Sequence, residues 1–128
     1  MAPRSFTAAL LGLAVLVACS AMRPPPSIRV SDVARLAGAY TGTIDEPGFT
    51  PRPARLVLQR DGTFEITLGE PKSLRANGYL QARPDGSLVY QYIDVQGTGS
   101  AYEGGGRRVI VLIQGDGGAK MTLGTKIP

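Results

Sequence analysis

The chain contains no histidine and no tryptophan, and it has a single cysteine among 128 residues. Without histidine, Ser-His-Asp and Cys-His chemistry, histidine-ligated metals and an imidazole pH switch are excluded. A single cysteine leaves no disulfide within the chain. Charge is also moderate, with 14 Lys and Arg against 10 Asp and Glu, so the net charge of +4 gives no support to a nucleic-acid partner. We therefore expect no metal and no cofactor.

The first residues form an apolar segment that is too short to cross a membrane. Residues 8–18 carry no polar side chain and follow a start that contains Arg4. A spanning helix needs about 20 apolar residues, and this run has about half as many. A charged start, a short apolar run and small residues are typical of a secretory signal peptide. We assign residues 1–18 to such a peptide, which predicts an exported protein.

The end of this run, Leu16-Val17-Ala18-Cys19, resembles the lipobox of bacterial lipoproteins. The resemblance implies that Cys19 becomes the first mature residue, with a diacylglycerol on its thiol and a further acyl chain such as palmitate on its amino group. Two or more chains anchor a protein stably, whereas one does so only marginally. Because Ser20 rather than Asp follows the cysteine, the resemblance also implies the outer membrane, with the domain facing the periplasm. The alternative is an ordinary signal peptide with an incidental cysteine.

Residues 19–30 are expected to form the lipidated residue and a proline-rich tether. Pro24-Pro25-Pro26 favours an extended segment of about 3.1 Å per residue, which would hold the domain some 25 Å from the bilayer. In the alternative, Ile28 to Val30 and the prolines pack on the domain. Residues 31–128 are expected to form a single domain.

Residues 31–38 give the only helix that the pattern supports. Ser31 or Asp32 provides an N-cap, and Gly38 provides a left-handed C-terminus. The helix has two turns at most, so it needs packing against the domain, and we expect it to act as a lid or plug.

Alternation of apolar and polar residues from Tyr40 onward predicts about eight short strands. Asp61-Gly62, Asp85-Gly86 and Asp116-Gly117 separate consecutive runs, and Asp-Gly is a strong hairpin signal. The expected fold class is all-β, an up-and-down antiparallel meander or small barrel with one short N-terminal helix. A β-sandwich is the alternative. Five apolar residues in a row, 109–113, require cover on both faces of one strand, and the short helix is the favoured cover.

Two family resemblances bear on this domain. Leu36-Ala37-Gly38-Ala39-Tyr40 is similar to the start of lipocalin-like barrels, with Tyr40 in place of the Trp of their Gly-x-Trp motif. That resemblance implies a barrel that binds a small ligand. More weakly, residues 98–102 followed by 109–123 resemble the end of lysozyme-inhibitor lipoproteins, although the Arg of their loop and their disulfide are missing here.

No catalytic residues emerge from the sequence, so we expect a non-enzymatic protein. The expected function is that of a lipid-anchored envelope binding module for a small apolar or amphipathic ligand. The candidate ligand-binding residues are Tyr40, Tyr79, Tyr90, Tyr92 and Tyr102, whose rings and hydroxyls suit such a site. The alternative is a protein-protein module, such as an inhibitor of an envelope hydrolase or an assembly factor. Its candidate partner surface is formed by Gly99, Ser100, Tyr102, Arg107 and Arg108.

Overall fold

The computed structural model describes residues 27–28, 30–70 and 73–127. The expected signal peptide, Cys19 and most of the expected tether lie outside these residues. Nine strands are present: β1 (Ser27–Ile28), β2 (Gly38–Asp45), β3 (Arg52–Leu58), β4 (Thr63–Leu68), β5 (Leu74–Ala82), β6 (Leu88–Tyr92), β7 (Val95–Gly104), β8 (Arg107–Gln114) and β9 (Lys120–Lys126). One 3-10 helix, Val33–Leu36, precedes β2.

Eight of these strands close into an antiparallel barrel. Each strand from β2 to β9 pairs with the next along the chain, and β9 returns to pair with β2, with Thr43 opposite Thr122. Closure leaves no free edge among these eight strands, which is how a small all-β domain avoids edge-to-edge association. The predicted up-and-down barrel is thus confirmed, and the sandwich alternative is excluded.

The segment before the helix belongs to the barrel. Ser27 and Ile28 pair with Tyr102 and Ala101 of β7, on the part of β7 that lies beyond the end of β6. Val30 is fully buried, and its backbone N–H donates to Gly86 O at 3.2 Å. The domain therefore begins by Ser27 rather than at residue 31, and the alternative in which this segment packs on the domain holds for these residues.

The predicted helix is shorter and tighter than expected. Asp32 caps it, because its Oδ1 accepts from the Ala34 backbone N–H at 3.0 Å. The helix ends at Leu36 with Ala37 as its C-cap, so Gly38 is the first residue of β2 instead of the predicted terminator. One turn suffices to bring Leu36 into the core, where it is fully buried.

All three Asp-Gly pairs form hairpin connections, between β3 and β4, β5 and β6, and β8 and β9. In each pair the aspartate accepts from the backbone N–H two residues later, at 3.0 Å for Asp61, 2.9 Å for Asp85 and 2.8 Å for Asp116. The glycines take positive φ angles, which cost them little because they lack a Cβ. These turns form the three hairpins that the sequence predicted.

The last strands differ from the sequence expectation in two respects. Residues 88–104 form two strands, β6 and β7, that are joined at Ile93-Asp94, where the Asp-Gly pattern predicts no hairpin. The 3-10 helix packs more closely against β5 than against β8, whose outer face it was expected to cover. That outer face is left with Val109 and Val111 half-buried and Ile113 exposed by 44%.

The inward-facing side chains form one contiguous hydrophobic cluster. At two positions of the wall, a glycine lies directly beside an inward-facing aromatic ring. A Cβ built on Gly78 would lie 2.6 Å from Phe64 Cζ, and one on Gly97 would lie 2.7 Å from Tyr90 Cε1. These glycines therefore make room for the aromatic rings that occupy the barrel interior.

Candidate functional site

The two ends of the barrel differ in what covers them. One end, called the helix end, carries the 3-10 helix and the β3–β4, β5–β6 and β7–β8 connections. The opposite end, called the loop end, carries the β2–β3, β4–β5, β6–β7 and β8–β9 connections. Successive hairpins of an up-and-down barrel lie at opposite ends. Each inward-facing side chain therefore lies near the helix end, near the loop end or between the two.

At the helix end, the interior polar groups satisfy one another. Tyr40 is fully buried and its hydroxyl donates to the carbonyl oxygen of Leu36. Arg108 Nε donates to Glu103 Oε1 at 2.9 Å, and the guanidinium also interacts with the Tyr40 hydroxyl. Arg35, which is half exposed, approaches Glu103 from the helix at 3.4 Å. This network fixes the helix to the barrel and leaves little room for a ligand's polar group.

At the loop end, two stacked tyrosine rings have hydroxyls that remain available. Tyr90 and Tyr92 stack with a centroid separation of 6.2 Å, and Phe64 meets Tyr92 edge to face at 6.4 Å. Both tyrosines are at least 95% buried. In the described part of the chain, neither hydroxyl bonds to a protein acceptor, and no buried side-chain oxygen lacks a partner. Each hydroxyl therefore keeps at least a small contact with solvent, although both residues are buried as a whole.

An arginine lies across the same end of the barrel. Arg52 is the first residue of β3 and lies on the same, inward-facing side of the strand as Ala54 and Leu56. Its Nη2 lies 2.8 Å from Glu46 Oε1, and its Nη1 donates to Gly69 O at 3.3 Å. The side chain is only 13% exposed. Arg52 thus joins the β2–β3 connection to the start of the β4–β5 connection above the tyrosine pair.

The electrostatic surroundings of the two tyrosines follow from this arrangement. Burial raises the pKa of Tyr90 to about 12, with further contributions from Tyr92 and from the negative charge of Asp116. Burial also raises the pKa of Tyr92, and the charge of Glu46 adds to this while Arg52 opposes it. Both hydroxyls are neutral at physiological pH, so they act as hydrogen-bond donors and acceptors there.

Two large apolar side chains are exposed on the rim of the loop end. Phe49 in the β2–β3 connection is 70% exposed, and Ile93 in the β6–β7 connection is 62% exposed. Ile93 also has a φ of 52°, which is strained for a β-branched residue. An exposed apolar residue held in a strained turn is the kind of feature that functional sites retain. Neither residue was identified from the sequence.

The five candidate tyrosines do not form one site. Tyr40, Tyr90 and Tyr92 face the interior, but Tyr40 lies at the helix end and is already bonded. Tyr79 lies on the outer wall, is 41% exposed, and donates its hydroxyl to Gln91 Oε1 at 2.6 Å. Tyr102 also lies on the outward side of its strand, where it is opposite Ser27 and Val109. Only Tyr90 and Tyr92 are brought together.

The candidate partner surface is likewise divided between the two sides of the barrel wall. Residues 97–108 belong to a hairpin of β7 and β8, whose turn is only Gly105-Gly106. Gly99 faces the interior, and Arg108 is 13% exposed in its pair with Glu103. Ser100, Tyr102 and Arg107 remain on the outside. These residues therefore share no continuous surface as a set.

Signals for the loop-end residues that the sequence interpretation missed were present in part. Arg52 sits two residues before Ala54 in an alternating strand, which places it on the inward side. Phe49 lies in Pro47-Gly48-Phe49-Thr50-Pro51, a segment without strand periodicity, so its exposure follows from its place in a loop. Ile93 carried no turn signal at all.

Acidic residues do not assemble into a metal site in the described part of the chain, where no group of three or more Asp, Glu, Cys or His side chains meets. Glu46 and Glu103 are each paired with an arginine. Among the described residues, no helix is long and apolar enough to cross a bilayer.

The described residues form a small, closed, eight-stranded up-and-down antiparallel β-barrel, with a 3-10 helix at one end and the stacked Tyr90–Tyr92 pair towards the other. No family model, no curated protein and no solved structure matches the chain.

Proposed function

We propose that the protein is a lipid-anchored binding module of the bacterial cell envelope, held at the outer membrane through Cys19. The lipobox-like Leu16-Val17-Ala18-Cys19 and the apolar run before it support the anchor. Seven residues, 20–26, then separate Cys19 from β1. At about 3.1 Å per residue, an extended segment of this length spans about 22 Å.

Metabolic labelling tests the anchor. Labelled palmitate is expected to enter the wild-type protein and to be absent from Cys19→Ala, which should also leave the membrane fraction. Equal labelling of the two proteins would contradict the anchor and would leave the ligand proposal below untouched.

The loop end is the proposed ligand site, and the observation that carries it is the stacked Tyr90–Tyr92 pair with its two solvent-reaching hydroxyls. Exposed Phe49 and Ile93 on the rim offer apolar contact to a chain, and the hydroxyls offer hydrogen bonds to a head group. A small amphipathic molecule matches this combination. The module is proposed to be non-enzymatic and to bind without chemical change.

The charges near the loop end limit which kind of head group can bind there. Glu46, Asp94 and Asp116 act on the two tyrosines, and Arg52, the cation among them, is already paired with Glu46. An anionic head would meet repulsion here, while a neutral head would bond to the hydroxyls. A cationic head would also gain from contact with the exposed aromatic ring of Phe49. The proposed ligand class is therefore a neutral or cationic amphipath.

Three octyl compounds of different charge test whether the ligand is a neutral or cationic amphipath: octyl glucoside, octyltrimethylammonium and octanoate. Each is used below its critical micelle concentration. Amide resonances of Phe49, Tyr92 and Ile93 are expected to shift with the first two probes and not with octanoate. The variant Tyr90→Phe/Tyr92→Phe should weaken binding about tenfold, since it removes two hydrogen bonds of about 0.5–1.5 kcal/mol each.

The matched control is Tyr79→Phe/Tyr102→Phe, which removes the same number of hydroxyls from the outer wall and should leave affinity unchanged. An equal loss in both double variants, or no shift at the loop end with any probe, would contradict the proposed site. Recovery of a cross-linked envelope protein through a photoreactive residue at Tyr102, without any lipid, would instead favour the protein-protein module.

A further inference from the structure

Charge is distributed unequally between the two ends of the barrel. At the helix end, the described residues of the connections and of the adjoining strand ends carry six cationic and four anionic side chains. The cations are Arg35, Arg60, Arg83, Arg107, Arg108 and Lys126. At the loop end the described residues include five anions and only two cations, with Lys72 lying outside the described residues. The barrel is therefore basic at one end and acidic at the other.

Four of the helix-end cations are exposed and hold no ion pair with any described residue: Arg60, Arg83, Arg107 and Lys126. Two nearby anions accept hydrogen bonds within their own turns, Asp61 from Thr63 and Asp85 from Ser87. Arg55 and Arg75, by contrast, lie on the outer wall.

The N-terminal segment enters the barrel from this same end. β1 runs antiparallel to β7, and Ser27 lies opposite Tyr102, close to where β7 ends at Gly104. The chain that precedes Ser27 therefore arrives from the helix end. If Cys19 is anchored in a bilayer, the helix end is the part of the barrel that the short tether brings nearest to the lipid.

We propose that the helix end docks onto the anionic head groups of the bilayer in which the chain is anchored, so that the loop end points away from the membrane. This inference rests on the proposed anchor. Exposed Arg and Lys side chains are attracted to a negative membrane surface within about 8 Å at physiological ionic strength. The acidic loop end is repelled by the same surface, so charge at both ends favours one orientation.

The absence of tryptophan makes this orientation measurable in the full lipidated protein. A single tryptophan is introduced either at the helix end, as Pro84→Trp, or at the loop end, as Phe49→Trp, since both positions are exposed. The proteins are reconstituted in phosphatidylcholine vesicles with or without phosphatidylglycerol, and a nitroxide on the lipid head group quenches nearby tryptophan. Docking predicts stronger quenching of Pro84→Trp than of Phe49→Trp with phosphatidylglycerol, and loss of this difference at high salt.

Charge reversal separates docking from mere tethering. Arg60→Glu/Arg83→Glu in the Pro84→Trp protein should lose the phosphatidylglycerol-dependent quenching, whereas Arg55→Glu/Arg75→Glu on the outer wall should keep it. Equal quenching at both ends, stronger quenching at the loop end, or quenching that ignores phosphatidylglycerol would each overturn the proposal. Labelling of Cys19 is read independently, so a failure of docking and a failure of the anchor remain distinguishable.

Discussion

Glu103 and Arg108 face each other across β7 and β8 and form an ion pair of 2.9 Å, with side chains only 21% and 13% exposed. The pair lies inside the wall next to the two-glycine turn that joins these strands. At the opposite end of the barrel, Arg52 and Glu46 form a second partly buried pair at 2.8 Å. Each end of the barrel interior thus has an arginine held by a glutamate close to a buried tyrosine.

The variant Glu103→Gln is expected to destabilise the fold by about 1–3 kcal/mol, because it leaves the partly buried Arg108 without its charged partner. Glu65→Gln is the matched control, since its partner Arg75 is 75% exposed and such a pair contributes about 0–1 kcal/mol. Urea unfolding of both variants checks the difference. A loss as small for Glu103→Gln as for Glu65→Gln would contradict the structural role of the pair.

Gly78→Ala is expected to cost about 1–3 kcal/mol, because the new methyl group would collide with the Phe64 ring and with the backbone of β6. Gly115→Ala serves as the control, since its Cβ would meet only Gln96 O at 3.4 Å. Thermal unfolding monitored by circular dichroism measures both. If Gly78→Ala unfolds at the wild-type temperature, close packing at this position is not what requires glycine.

Ile93→Asn is expected to stabilise the fold by about 1 kcal/mol, because asparagine tolerates a positive φ better than a β-branched residue does. The same change should weaken binding of octyl glucoside, since it removes an apolar side chain from the rim. Ile113→Asn is also an exposed isoleucine replaced by asparagine, but on the outer wall, and should give neither effect. Stabilisation without loss of binding would show that Ile93 takes no part in the site.

Stability should fall as the pH rises above about 10. Tyr90 has a pKa raised to about 12 by burial, so between the unfolded value of 10.0 and 12 the folded state keeps a proton that the unfolded state has lost. Unfolding then becomes easier by up to about 1.4 kcal/mol per pH unit from this residue. Tyr90→Phe should reduce that slope in urea titrations at pH 9 to 12. An unchanged slope in Tyr90→Phe would contradict the assignment.

The sequence predicts most of the barrel because its turns carry explicit signals. Asp61-Gly62, Asp85-Gly86 and Asp116-Gly117 each place a hairpin, and alternation from Tyr40 onward assigns the inward faces. The β6–β7 turn was missed because Ile93 adopts a positive φ, which isoleucine disfavours. Its residue type therefore does not indicate a turn. The tertiary pairing of β6 with β7 overrides the local preference.

The candidate site was predicted less well than the fold. Alternation along β6 correctly places Tyr90 and Tyr92 on the same, inward-facing side of the strand. Tyr79 and Tyr102 are also tyrosines but lie on the outer wall, so residue type did not separate them from the pair. Tyr40 could not be separated from the pair in advance, because its hydroxyl is occupied by the carbonyl of Leu36, a contact that depends on how the 3-10 helix folds back. Residue type alone does not distinguish a bonded hydroxyl from an available one.

Pairing of β2 with β9 also has a consequence for how the chain acquires its structure. Thr41 to Asp45 find their second neighbour only in Lys120 to Gly124, so the wall stays an open sheet with two unpaired edges until the last strand arrives. Contacts this distant along the chain close slowly, and unpaired edges invite association with other chains. A partly synthesised or C-terminally shortened chain is therefore the form of this protein most prone to aggregate, and a chaperone that shields β2 would protect it until closure.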